Sequence, residues 1–221
     1  VDRAEASAVA VPTGHTLPAP HAGGPVLRAR GLAVGWPGGP VVAQGIDLDL
    51  APGRRVALVG ASGTGKTTLL LTLAGLLEPR GGELTLDGVT PWGGRRDQVA
   101  SRVSLTAEDA HVFDTSVLEN LRVARGDVDE DEARRLLARA GLGTWLGALP
   151  EGLATSVGSD ASTLSGGERR RLLLARALAS PAPLMALDEP GEHLDAATAD
   201  ALVADLLTAD ATRGVALVTH R

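Results

Sequence analysis

Gly60-Ala-Ser-Gly-Thr-Gly-Lys-Thr67 decides how this chain is read. It satisfies G-x-x-x-x-G-K-[ST], with a short apolar run, Val56–Val59, before it and an apolar-periodic helix from about Lys66 to Leu77 after it. Strand, glycine-rich turn and helix in that order are what phosphate binding requires. Gly60, Gly63 and Gly65 let the main chain wrap close to phosphate oxygens. The N–H groups at the helix start, flanked by Ser62, Thr64 and Thr68, form an anion nest. Lys66 has the reach and charge for the β- and γ-phosphates, and the Thr67 hydroxyl suits Mg²⁺.

Lys66 is also unusual in composition. The 221 residues include 21 basic side chains, and Lys66 is the only lysine among them. A formal charge of −6 argues against nucleic acid as partner, because neutralising phosphates takes basic surface. With 44 % apolar residues but only Trp36, Trp92, Trp145 and Phe113 as aromatics, the core must be aliphatic. The absence of cysteine excludes disulfides, thiolate metal sites and a cysteine nucleophile. No apolar run approaches the roughly 20 residues of a membrane span, and Val1–Ala8 lacks the make-up of a signal peptide.

Further out from the glycine-rich loop, Val26–Val34 and Val41–Leu50 alternate as half-buried strands around the turn Gly35–Pro40. Glu83–Leu86 reads as a strand, Asp97–Leu149 as mainly helical with an acidic helix start at Asp127–Glu132, and Gly166 to about Ser180 as a helix. Leu184–Leu187 and Val215–Thr219 read as buried strands, with a helix over Asp195–Leu207 between them. The expected fold is therefore α/β, with a mostly parallel sheet covered on both faces. Leu184-Met-Ala-Leu-Asp-Glu189 ends its strand in two carboxylates, Asp188 placed to hold Mg²⁺ and Glu189 to orient and deprotonate an attacking water.

Leu164-Ser-Gly-Gly-Glu168 completes the set. Here the sequence resembles the ATP-binding cassette (ABC) ATPase family, whose signature is L-S-G-G-Q. The order of glycine-rich loop, signature, Asp188-Glu189 and His220 is the family's order. The resemblance covers about Val26 to Arg221 and implies a P-loop NTPase core with an N-terminal antiparallel β region and an inserted helical subdomain at about 109–163. It implies that Ser165, Gly166 and Gly167 contact the γ-phosphate of ATP held by a second ABC domain in a head-to-tail dimer, expected to be a heterodimer. It further makes Trp36 an adenine-stacking aromatic and His220 the switch residue that positions Glu189. Leu194-Asp195, after His193, corresponds to the loop that communicates across the dimer.

Three positions depart from the family pattern. Glu168 stands for the signature glutamine. Glu108 stands where the family has a Mg²⁺-contacting glutamine, in A-E-D-A-H-V-F-D-T-S-V-L-E-N. Thr155-Ser-Val-Gly-Ser159 resembles the T-x-V-G-E stretch of exporters with Ser159 for glutamate. The run Arg169–Arg171 reads as a solvated helix surface, since three adjacent residues cannot share a face.

Residues 1–25 are expected to be a linker or tail following a transmembrane domain of the same parent chain. The chain starts without methionine and stops one residue past His220, so it reads as a fragment truncated at the domain's C-terminal end. The resemblance implies an exporter ATPase using ATP and Mg²⁺ at the cytoplasmic face of the bacterial inner membrane. E-D-A-H-V-F-D-T and D-E-P-G-E-H-L-D resemble the bacterial thiol-exporter family, nearest its C subunit, which moves cysteine or glutathione in support of cytochrome bd assembly. Lipid or drug exporters, ABC ATPases that move no solute, and a module that binds ATP without hydrolysing it are the alternatives.

Overall fold

The computed structural model describes residues 14–158, 163–191, 199, 204, 206 and 212–219. Two sheets organise them. In the first, β1 (Leu27–Val34) lies between β2 (Ala43–Leu50) and β4 (Gly81–Leu86), antiparallel to both. Leu27 pairs with Leu50 on one side and with Leu86 on the other, so the three leucines share one buried face. Both ladders slip near Gly31, where its carbonyl would lie 2.3 Å from a Cβ on Gly82; only glycine fits that crossing.

The second sheet is parallel, in the order β3 (Arg55–Val59), β7 (Gly214–Thr219), β6 (Leu184–Asp188), β5 (Val103–Thr106). β6 is buried throughout and β7 nearly so, which is why both read as unbroken apolar runs. Their side chains alternate between two cores. Met185, Leu187, Val215 and Leu217 enter the core built with the helical subdomain. Leu184, Ala186, Ala216 and Val218 enter the core shared with β1, β2, β4 and α1 (Lys66–Leu73).

Helix α1 stops earlier than the expected Leu77. Gly75 takes the left-handed conformation, its N–H donating to the Thr72 carbonyl while Leu76 N–H donates to Leu71, the pairing that terminates helices at glycine. The segment 97–149 also departs from its helical reading. It begins with a short helix α2 (Arg96–Ala100) and then the edge strand β5, before α3 (Val117–Arg122), α4 (Glu130–Arg139) and α5 (Gly143–Ala148). Four residues with one fully buried side chain, Val103, are too short to display a period. The acidic start of α4 is as expected: Asp129 caps it by accepting from Glu132 N–H. Helix α6 (Gly166–Ala179) covers the expected span, packing against α3, α4 and β5.

Part of the stretch expected to be a tail is packed against this body. Leu17 is 4 % exposed and its N–H donates to Gln98 Oε1 at 2.7 Å. His15 exchanges main-chain hydrogen bonds with Gly93 and Arg95, and Arg102 reaches the Pro18 carbonyl while pairing with buried Asp87 at 2.7 Å. In the expected helix Asp195–Leu207, residues Ala199, Ala204 and Leu206 are helical and the rest lie outside the described residues.

Candidate active site

The parallel sheet brings the phosphate loop and the Asp188-Glu189 strand end together. β3 feeds the loop and β6 carries the carboxylates, with β7 between them in parallel register. Gly65 opens α1 with φ of +88° and without a side-chain cap, so the first N–H groups of the helix have no partner from their own chain segment's side chains. A Cβ on Gly65 would lie 2.6 Å from Val42 Cγ2, so the residue leading into β2 presses directly on the loop and only glycine can turn there.

Thr67 Oγ1 donates to Asp188 Oδ2 at 2.6 Å. The Lys66 ammonium donates to the carbonyls of Gly60 and Ala61 at 2.8 and 2.9 Å, and Thr64 Oγ1 to Ala61 at 2.8 Å. Lys66 Nζ also lies 3.8 Å from Glu189 Oε1. Lys66, the Thr67 hydroxyl and the Asp188 and Glu189 carboxylates thus form one cluster. Burial pushes the Asp188 carboxyl up, partly offset by the Thr67 hydroxyl and reinforced by the charges of Glu189 and Glu108. A buried carboxylate beside a hydroxyl, with further carboxylates near, is an oxygen donor set that suits a hard divalent cation. Among the described residues no group of three or more His, Asp or Glu side chains is arranged to hold an ion by itself.

Glu108 lines a cavity of about 20 Å³ together with Asp188, Glu189 and Arg170. Its carboxylate is engaged there by Arg170 Nη2 at 2.9 Å. The three arginines after the signature are therefore not a solvated surface. Arg169 donates to the Ala110 carbonyl at 2.6 Å, Arg170 to Glu108 and to the Glu189 carbonyl, and Arg171 to Gly141 and Gly167. Arg169 and Arg170 both reach the 108–110 segment while Arg171 turns to Gly141, and the groups they meet are set by tertiary structure that a linear pattern does not show.

At the signature, Ser165 caps α6 by accepting from Glu168 N–H, while Glu168 Oε2 accepts from Ser165 N–H and from its hydroxyl at 2.7 Å each. The Ser165 hydroxyl and N–H hold the Glu168 carboxyl below its ordinary value. Gly166 and Gly167 are the first helical residues, whose N–H groups have no intrahelical acceptor. Trp36 is 55 % exposed in the turn after β1, its carbonyl accepting from Arg80 at 2.9 Å. Of the quoted stretch around Glu108, Asn120 was not singled out from sequence. It is buried and brackets Phe113 by accepting from its N–H and donating to its carbonyl, while Phe113 itself is 42 % exposed, its ring against His111 and Arg176. The T-x-V-G stretch pairs with the same region, Val117 N–H on Thr155 and Val157 N–H on Thr115. Ser62 and Thr68 flank the loop, Thr68 buried in α1. Ser159, His193, Leu194, Asp195 and His220 lie outside the described residues; the strand leading to His220, β7, runs between β3 and β6.

A glycine-rich loop at a helix start, a lysine within it, and a Thr–Asp junction at the sheet's carboxyl edge define a P-loop ATPase. The ABC transporter family model matches residues 43–192. The mycobactin import ATP-binding/permease protein IrtB of Mycolicibacterium thermoresistibile is 40 % identical over 83 % of this chain and 32 % of its own length. The glutathione/L-cysteine transport system ATP-binding/permease protein CydD of Bacillus subtilis is 34 % identical over 88 % of this chain and 34 % of its own. A solved bacterial Atm1-family ABC exporter with ATP bound superposes with a TM-score of 0.81 at 25 % identity, covering 96 % of this chain and 36 % of that one. The chain belongs to the ABC transporter family, as its ATP-hydrolysing domain. It spans about a third of the length of the curated relatives it matches.

Proposed function

We propose that this domain hydrolyses ATP to drive an ABC exporter whose transmembrane half belongs to the same parent chain. The 2.6 Å junction of Thr67 with Asp188 carries the reading, because it joins the phosphate loop to the strand end that bears Glu189. Lys66, Gly60, Gly63, Gly65 and Thr68 hold the ATP phosphates and Trp36 stacks on the adenine. Thr67 and Asp188, with Glu108 beside them, would hold Mg²⁺, which supplies neutralisation of phosphate charge. Glu189 accepts a proton from the attacking water as its oxygen bonds to the γ-phosphorus. The bond from that phosphorus to the β-phosphate oxygen breaks, and ADP and phosphate leave. His220 steadies Glu189.

The site is completed by a second ABC domain, head to tail, whose Ser165-Gly166-Gly167 equivalent closes on the γ-phosphate. A groove of about 570 Å³ between α2–β5 and α3–α6, lined by Leu71, Leu76, Phe113 and Val123 among others, suits contact with the membrane half at the cytoplasmic face of the inner membrane. No helix among the described residues is itself long and apolar enough to cross a membrane. For cargo we propose cysteine or glutathione, on the resemblance of E-D-A-H-V-F-D-T to thiol exporters and the CydD relative; other relatives are named for lipid A-core or mycobactin.

Glu189→Gln tests the chemistry: ATP binding should persist while turnover falls by about 10²-fold or more, and light scattering should show a nucleotide-trapped dimer. Unchanged turnover would remove Glu189 from its role. ATPase of the intact protein in vesicles should rise with glutathione or cysteine; stimulation by lipid A alone would replace the thiol assignment.

A further inference from the structure

Glu189 is one of two non-glycine residues among those described with positive φ, at +44°. Side chains adopt that region at a cost and persist there when their surroundings hold them. Both ends of the Glu189 residue are held. Its N–H donates to the Val218 carbonyl at 3.1 Å, which fixes it to β7. Its carbonyl accepts from Arg170 Nη1 at 3.4 Å, which fixes it to α6. The other prong of the same guanidinium binds Glu108 Oε1 at 2.9 Å, and the Arg170 side chain is only 11 % exposed.

This fork solves two problems in one place. Glu108 shares its cavity with Asp188 and Glu189, so an unpaired third carboxylate would raise the negative charge where phosphate must bind. A planar guanidinium can neutralise Glu108 with one prong and hold a carbonyl with the other, which a point-charge ammonium does less well. We propose that Arg170 is a positioning residue for hydrolysis: anchored on Glu108, it holds the Glu189 main chain in the strained conformation that aims its carboxylate. The proposal rests on the reading of Glu189 as the base. It ties the signature helix α6 to the catalytic glutamate of the same domain.

The test is a double-mutant cycle in the intact, membrane-assembled protein. Arg170→Gln is expected to lower kcat for ATP roughly tenfold, as misplacement of a reacting group does, with any rise in KM for MgATP from the unpaired Glu108 accompanying that loss and not replacing it. Arg170→Lys, which keeps a cation facing Glu108, should lower kcat with KM moving less than about twofold. Added to Glu189→Gln, it should cost nothing further, because the group it aims is gone. Full additivity of the two losses, a rise in KM at constant kcat, or an unchanged kcat would overturn the proposal. A merely structural arginine would give additivity. Should Glu189→Gln alone leave turnover intact, the reading of the base fails instead, and the single-variant arm identifies that case. Arg170→Lys keeps a cation facing Glu108, so it serves if Arg170→Gln does not fold. The same kcat loss is expected, and wild-type kcat in the folded lysine variant would also overturn the assignment.

Discussion

Thr67 and Asp188, 121 residues apart along the chain, meet in a 2.6 Å hydrogen bond, the hydroxyl donating and the carboxylate accepting. Asp188 is 5 % exposed and burial pushes its carboxyl above the ordinary 3.8. A carboxyl raised by burial favours the fold while protonated; that contribution is present below 3.8 and lost as pH rises through the elevated value. Above the elevated value the ionised side chain destabilises the nucleotide-free domain. Asp188→Asn should raise the melting temperature in EDTA by a few degrees, as about 1 kcal/mol does at this size. Calorimetry should also show that MgATP stabilises the parent protein and no longer stabilises the variant.

Lys66→Arg leaves the net charge at −6. The lysine ammonium is compact enough to sit on the Gly60 and Ala61 carbonyls, where a planar fork cannot. Turnover should fall by about 10²-fold or more, the loss typical of a removed transition-state donor. A steady-state phosphate-release assay checks it, and a variant within a few-fold of wild type would deny Lys66 its place.

Trp36 contributes little to the core, since more than half of it is exposed. Trp36→Ala should weaken ATP and GTP binding alike by about 1 kcal/mol of stacking, with the melting temperature of the free domain unmoved. Fluorescent-nucleotide titration reads the first and a thermal melt the second. Equal affinity with a lowered melt would make Trp36 a packing residue.

Ser165→Ala removes the cap of α6 and should cost about 1 kcal/mol of stability. Glu168 answers from the other side of the capping box. Its carboxyl, held below 4.5 first by the Ser165 hydroxyl and then by its N–H, contributes stability that is full above 4.5 and disappears as pH falls through the lowered value. Glu168→Gln should therefore melt below wild type at neutral pH and converge with it in acid. Paired circular-dichroism melts at two pH values measure the gap.

What the linear chain displayed well were features confined to a few adjacent residues. The phosphate loop and the apolar runs of β6 and β7 each carry their cause within eight residues, so their reading needed no tertiary knowledge. β5 escaped because Val103–Thr106 is held by pairing with Leu184–Leu187, and nothing in V-S-L-T announces that partner. Arg170 escaped for the same reason: Glu108 lies 62 residues away, and an arginine-rich composition hides one ordered arginine among many. Leu17 and His15 sit in a stretch rich in Pro, Gly and Ala that lacks any period, yet their contacts with Gln98 and Thr90 order it.

The alternation along β6 gives Asp188 and Glu189 two landlords. Met185 and Leu187 answer to the helical subdomain, Leu184 and Ala186 to the β1–β2–β4 side. A side chain trimmed deep among the helices, far from any phosphate, loosens the very strand on which both carboxylates ride. The two carboxylates at the end of β6 therefore share one support with both cores, and a substitution in either core reaches them through a single strand.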